Sequence, residues 1–147
     1  MADRGGPEIA DVLLVEDDPG DVLMTREAFE HYRIKNPLHV VGDGEQAMQF
    51  LRQDGEYTSM PRPGLILLDL NLPRRNGLEV LADVKSDSEL LSIPVVVLTT
   101  SQAQEDILRS YALHANAYIS KPVDFDRFND VIRQINKFFL TLVQLPN

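Results

Sequence analysis

Four groups of chemistry-bearing side chains stand directly after short apolar runs. They are Glu16-Asp17-Asp18 after Val12–Val15, Asp69 after Leu65–Leu68, Thr99-Thr100-Ser101 after Pro94–Leu98, and Lys121-Pro122 after Ala117–Ser120. Brought together, they would set carboxylates, a hydroxyl and an ammonium in one pocket. Carboxylates within reach of one another repel and raise each other's pKa. A divalent cation removes that conflict, and Mg²⁺ suits it, because it takes hard oxygen ligands, keeps several waters and needs only one or two carboxylates. A carboxylate beside Mg²⁺ can act as a nucleophile toward phosphorus and form an aspartyl phosphate. The metal and a lysine then neutralise the phosphoryl oxygens, and a hydroxyl such as that of Thr99 can hydrogen-bond one of them. Singly, each residue has a plainer reading: Asp18 as a first-turn acid, Thr99 as a strand residue, Lys121 as a surface lysine. The coincidence of all four groups at strand ends favours the pocket.

That coincidence requires elements that place the four ends side by side. The four runs and a fifth, Leu38–Val41, are continuous rather than alternating and rich in Val, Ile and Leu. Continuous runs of this length suit strands of a parallel sheet covered by helices on both faces. Helical patterns fall between them at Asp21–Arg33, Glu45–Gln53, Leu78–Lys85 and Ala103–Leu113, with a last helix from Asp124 to about Val143. Ser101 and Gln104 have the spacing of a capping box, and Asp124 is placed as an N-cap. Five strand–helix repeats predict an α/β, doubly wound, flavodoxin-like (βα)5 fold with strand order 2-1-3-4-5. In such sheets the site lies at the carboxyl ends of the strands, beside the topological switch point.

Composition agrees. The chain has 147 residues, enough for one domain, here expected at 11–147 after a flexible lead-in at 1–10. A net charge of −9 argues against a nucleic-acid or anionic membrane face, since both need clustered Lys and Arg. The absence of cysteine excludes thiolate metal sites and Cys nucleophiles. No apolar run approaches the roughly 18 residues of a membrane span, and the first residues lack a signal-peptide core, so a cytoplasmic protein is expected. His31, His39 and His114 are scattered rather than paired at ligand spacing, and no Gly-rich phosphate loop occurs.

The segments Leu-Leu-Val-Glu-Asp-Asp (13–18), Leu-Ile-Leu-Leu-Asp-Leu-Asn-Leu-Pro (65–73) with Asn76-Gly77, Pro-Val-Val-Val-Leu-Thr-Thr (94–100) and Ala-Tyr-Ile-Ser-Lys-Pro (117–122) resemble, in order, the receiver domains of two-component response regulators. The resemblance covers about residues 10–137. It implies that Asp69 is the phosphoacceptor and that Glu16 and Asp17 are the acidic pair holding Mg²⁺, Asp17 directly and Glu16 through water. Asn71 would lend its backbone carbonyl to the metal, so the metal set is Glu16, Asp17, Asp69 and Asn71. Thr99 is implied as the switch hydroxyl, Tyr118 as the aromatic switch, and Lys121 as the partner of the phosphoryl oxygens, aimed inward by a cis bond to Pro122. Glu16 departs mildly from a family in which Asp is also common. The family's activity would be Mg²⁺-dependent self-phosphorylation with slow autodephosphorylation, not turnover of external substrates. Its partner would be a sensor histidine kinase, with output through the face of the fourth helix, fifth strand and fifth helix. The long Asp54–Pro63 connection, the apolar last helix and the lack of a following output domain resemble the stand-alone regulators that pair with bacterial and cyanobacterial phytochromes.

In the last helix, Phe125, Phe128, Ile132, Ile135, Phe139 and Leu142 follow three- and four-residue steps, flanked by Val131, Phe138 and Leu145. One core can bury the inner stripe, and the outer residues would then mark an interface. The expectation is a homodimer through this helix and the neighbouring face of the fourth helix and fifth strand, with Phe128, Val131, Ile135, Phe138 and Leu142 at the helix's face; the alternative is a tail folded back on its own domain. Two other functions compete. A haloacid-dehalogenase-type phosphohydrolase would need a second Asp two residues after the nucleophile, where this chain has Asn71. A flavin module on the same fold would need its phosphate accepted where Glu16, Asp17 and Asp18 repel it. Signalling by target binding and relay to a downstream histidine carrier are not separated by the sequence.

Overall fold

The five apolar runs pair as parallel strands. The computed structural model describes residues 9–141, and in it β1 (Val12–Val15), β2 (Leu38–Val41), β3 (Leu65–Leu68), β4 (Val95–Thr99) and β5 (Ala117–Ser120) form one sheet in the expected order β2-β1-β3-β4-β5. The register aligns Val12 with Leu38 and Leu65, Ile66 with Val95, and Val96 with Ala117. Between and after the strands run α1 (Pro19–His31), α2 (Gly44–Arg52), α3 (Gly77–Lys85), α4 (Gln104–Ala112) and α5 (Phe125–Ile135).

Alternate residues of a strand point to opposite faces, which explains why the central runs have no polar member. Leu13, Val15, Ile66, Leu68, Val95 and Val97 face one core, with Met48, Phe50 and Leu51 of α2 and Val80, Leu81 and Val84 of α3. Val12, Leu14, Leu65, Leu67, Val96 and Leu98 face the other, with Ala28 and Phe29 of α1 and Phe128, Ile132 and Ile135 of α5. The edge strands β2 and β5 are mostly half-buried, unlike the fully buried β1, β3 and β4. No helix among the described residues is long and apolar enough to cross a membrane.

Side-chain chemistry sets the helix starts. Asp18 caps α1 by accepting from the Gly20 N–H, with Pro19 in the first turn. Asn76 and Glu79 form a reciprocal capping box on α3. Asp124 caps α5, as expected, by accepting from the Asp126 N–H. The capping box expected at Ser101 and Gln104 does not form. The N-cap position of α4 is Ala103, without a side-chain cap. The Ser101 hydroxyl donates instead to the Asp106 carboxylate at 2.6 Å, a charge-assisted bond that outcompetes a neutral cap. The Asp54–Pro63 connection contains a 3-10 turn at Gly55–Tyr57, with the Tyr57 ring tilted against Phe50 at 5.3 Å between centroids.

The last helix also differs from expectation. Its α-helical part ends at Ile135 and continues as a π-helix over Asn136–Thr141. Through this π turn Phe139 keeps its expected place on the inner stripe, packing with Leu140 against the domain's own core, while Phe138 beside it is 62% exposed. Phe128 and Ile135, expected at a dimer face, are 1% and 3% exposed and belong to that core, so they are unavailable to a partner. Val131 is half-buried against the same cluster; Leu142 and Leu145 lie outside the described residues.

These placements separate two phenylalanines of one helix. Phe128→Ala should lower the unfolding free energy by ~3–5 kcal/mol. Phe138→Ala should lose about 1 kcal/mol or less, the worth of its edge contact with Phe139. Urea denaturation followed by circular dichroism measures both, and equal losses would contradict the burial assigned to Phe128.

Candidate functional site

From β1 the chain passes to β2 on one side and then to β3 on the other, so a crevice opens at the carboxyl ends of β1 and β3. The residues that follow those strands stay in the ladder. The Glu16 N–H donates to Val41 O at 3.0 Å and the Asp69 N–H to Val15 O at 3.1 Å. This places Glu16, Asp17 and Asp69 on adjoining strand ends, and carboxylate oxygens of all three lie within 4.8 Å of one another. Glu16 and Asp69 are buried, whereas Asp17 is exposed and forms the open side of the cluster. Gly77 makes room for the turn after β3: a Cβ there would stand 2.4 Å from Asp69 O and 2.6 Å from the Leu70 Cα. Any larger residue would push back the strand end that carries Asp69.

Both oxygens of Asp69 are engaged. Oδ1 accepts from Thr99 Oγ1 at 2.7 Å and from the Asn71 N–H at 3.2 Å. Oδ2 accepts from Lys121 Nζ at 3.3 Å. Lys121 also donates to Glu16 Oε1 and to Asp21 Oδ2, each at 2.7 Å. Its N–H donates to Thr99 O at 2.7 Å, which extends the β4–β5 ladder by one step and brings its stem over the pocket. No peptide bond among the described residues is cis, so the expected cis Lys121–Pro122 bond is trans. The three carboxylates and that extra ladder bond direct the ammonium inward instead.

The electrostatics reflect one cation among several anions. Burial pushes the Glu16 carboxyl up to about 7; the bond and charge of Lys121 oppose this, and the Asp69 charge adds to it. Burial by itself pulls the Lys121 ammonium down, but hydrogen bonds to Asp21 and Glu16 and the charges of Glu16 and Asp69 outweigh it and hold the group above the usual lysine value. The donor set is all hard oxygen, with one side open to water. That fits a Mg²⁺-type cation, which retains several waters and would relieve the charge imbalance.

The structure therefore brings Glu16, Asp17, Asp69, Asn71, Thr99 and Lys121 into one pocket. Asn71 takes part through its backbone N–H, with its residue surface exposed. Tyr118 stands beside the pocket, half-buried, its hydroxyl donating to Ser101 O at 2.8 Å. Asp18 keeps its plain role as a helix cap. One participant escapes a reading by strand ends, and one strand-end residue has a role that reading did not give it. Asp21 sits in the first turn of α1 and reaches Lys121 across the pocket. Ser101 links Thr99 to Tyr118, since its N–H donates to Thr99 Oγ1 at 3.3 Å. The only signal for Asp21 was an acid one turn beyond the acidic pair, a common feature of helix starts.

Comparison with known proteins points the same way. Residues 12–133 match the model of the response regulator receiver domain. The chain is 44% identical over 146 residues to response regulator Rcp1 of Synechocystis sp. (strain ATCC 27184 / PCC 6803 / Kazusa), covering 99% of each chain. It is similar to the crystal structure of the phosphorylated cyanobacterial phytochrome response regulator RcpA, with a TM-score of 0.90 and 44% identity over 95% of this chain and 100% of that one. It is similar also to the Mn²⁺-bound form of Rcp1, with a TM-score of 0.88 and 44% identity over 94% and 99% of the two chains.

If the acidic cluster is the cation site, Asp17→Asn should weaken Mg²⁺ binding by at least ~10-fold. Because Asp17 is exposed, its unfolding free energy should stay within ~0.5 kcal/mol of the parent. Calorimetric titration with Mg²⁺ tests this, and undiminished affinity would remove Asp17 from the site.

Proposed function

Because the chain belongs to the response regulator receiver family, we propose that it is a two-component response regulator whose Asp69 accepts a phosphoryl group from a sensor histidine kinase. The observation that carries this reading is the environment of Asp69. Its carboxylate stands at a strand end beside two further carboxylates, a hydroxyl at 2.7 Å and an ammonium at 3.3 Å. Receiver domains bind a divalent cation. Here Glu16, Asp17, Asp69 and the Asn71 carbonyl are the groups that would hold it, and it would neutralise charge on the transferred phosphoryl oxygens.

An Asp69 oxygen forms the new O–P bond as the bond from phosphorus to the donor histidine nitrogen breaks. The nitrogen keeps the electron pair, and the imidazole, protonated on its other nitrogen, departs neutral. Lys121 donates to a phosphoryl oxygen as negative charge shifts onto Asp69's side of the pocket. Asn71 stands where a hydrolase of the alternative class needs an acid/base carboxylate, and an amide cannot move the proton that turnover of external substrates requires. The product is therefore a modified protein.

The readout follows the hydrogen bonds outward from Asp69. Thr99 Oγ1, now on Asp69 Oδ1, has a phosphoryl oxygen as its new acceptor. Thr99 Oγ1 also accepts from the Ser101 N–H, Ser101 O accepts from the Tyr118 hydroxyl, and Tyr111 Oη of α4 accepts from the Tyr118 N–H at 3.2 Å. Movement of Thr99 thus pulls on the β4–α4 loop and repositions Tyr118, altering the α4-β5-α5 face that binds a partner or a second copy. The similarity to RcpA and Rcp1 supports a phytochrome-type kinase as the phosphodonor.

Incubation with acetyl phosphate and Mg²⁺ followed by intact-mass measurement tests the reading. Wild type should gain one phosphoryl group and Asp69→Asn none; an equal gain in both would refute it. For a second copy, Phe138 and Val131 remain as the helical contact, with exposed Leu108 and Tyr111 on α4. Light scattering at tens of micromolar should show a dimer with or without phosphorylation, and a monomer in both states would exclude self-association as the output.

A further inference from the structure

We propose that Asp21 is a positioning residue for phosphoryl transfer: with Glu16 it holds two of the three N–H donors of Lys121, which aims the third at Asp69 Oδ2. The inference rests on the function proposed above and concerns how its lysine is set. An ammonium on a four-carbon stem has three donors and little directional preference of its own. One anchor would leave it free to swing about that bond. In this protein the Lys121 side chain is 5% exposed and every donor has a carboxylate: Glu16 Oε1 at 2.7 Å, Asp21 Oδ2 at 2.7 Å and Asp69 Oδ2 at 3.3 Å. The two short bonds are the anchors. The longest is the one directed at the reacting group.

A first-turn acid commonly serves its own helix, but Asp21 does not spend its carboxylate there. Asp18 caps α1. The Asp21 side chain reaches a residue one hundred positions away. Its backbone is pinned where that reach is possible, because Asp21 O accepts from Thr25 Oγ1 at 2.8 Å and Thr25 is buried. Glu16 and Asp21 approach Lys121 from different elements, the end of β1 and the start of α1. The ammonium is therefore held from two sides. When an Asp69 oxygen bonds to phosphorus, the two anchors persist and the third donor passes from Asp69 Oδ2 to a phosphoryl oxygen. No further donor has to be recruited.

The test measures initial rates of phosphorylation by acetyl phosphate at saturating Mg²⁺, with intact mass as the readout. Asp21→Ala should slow the reaction by about tenfold, the scale on which a misaligned group costs rate. Asp21→Asn should retain most of the rate, since its amide oxygen still accepts an N–H, a rescue that loss of charge alone would not permit. In a Lys121→Met background, which keeps an unbranched apolar stem but has no ammonium, Asp21→Ala should cause no further slowing. A wild-type chain that gains no phosphoryl group, or gains it equally as Asp69→Asn, overturns the function and this proposal with it. A wild type phosphorylated at Asp69 overturns this proposal alone in either of two cases. One is an Asp21→Ala variant as fast as wild type. The other is an Asp21→Ala slowing equal in the Lys121 and Lys121→Met backgrounds.

Discussion

One buried ammonium holds the strand ends together. Lys121 lies among Glu16, Asp21 and Asp69, with Asp17 at the exposed rim of the same group. Buried charges are tolerated when they are paired and hydrogen-bonded, and removing one partner of such a pair typically costs ~3–5 kcal/mol. Here a single cation faces four carboxylates, so even full pairing leaves negative charge uncompensated. Burial pushes Glu16 up to about 7, a sign of how poorly the pocket accommodates that charge. A pocket in this state favours two visitors. A divalent cation satisfies the excess charge. The oxygens of a phosphoryl group would meet the same repulsion without that cation. The cation dependence of the proposed reaction would thus follow from the charge count of the pocket and not from any single ligand.

The sheet makes that crowding possible. Parallel strands buried on both faces are rigid, and their unpaired ends all point one way, so carboxylates from β1 and β3 meet without loops flexible enough to separate them. The ladder bonds from Glu16 to Val41 and from Asp69 to Val15 carry strand geometry one residue past the formal ends. Gly77 removes the Cβ that would push back the turn after Asp69. Packing energy from two hydrophobic cores therefore stabilises an arrangement of like charges that the isolated segments would not adopt.

How much of this was legible depended on whether a feature is local. Continuous Val, Ile and Leu runs followed by acids, a threonine and a lysine mark the strands and their ends, and all five strands and the order 2-1-3-4-5 appear as expected. Asp21 was hidden because an acid in a first helical turn has an ordinary local explanation, and only the fold brings it to Lys121. The cap of α4, though not its place in the chain, was misassigned because Ser101 prefers the Asp106 carboxylate to its own helix end. Apolar spacing in the last helix marked one stripe for a partner, yet it cannot say which core the stripe enters. Phe128 and Ile135 turned out to fill the domain's own, with Phe139 packed against the same core and Phe138 left exposed beside it.

The same contrast between tightly and loosely held elements indicates where motion can occur. Helices α2, α3 and α5 each bury several apolar side chains against the sheet. In α4 the buried residue is Ser110, and its hydroxyl has no hydrogen-bond partner among the described residues. Its start lacks a side-chain cap, and Leu108 and Tyr111 face solvent. An element with few buried apolar contacts opens at lower free energy than its neighbours. The hydrogen bonds leaving Asp69 through Thr99, Ser101 and Tyr118 end on this helix at Tyr111. A redirected hydroxyl is worth only about 1 kcal/mol. That is small beside the packing of α2 or α5, each of which buries several apolar side chains, and α4 offers the least such resistance of the three. In the function proposed above, the weak packing of α4 is the physical reason that a chemical change at Asp69 would be expressed at the α4-β5 face.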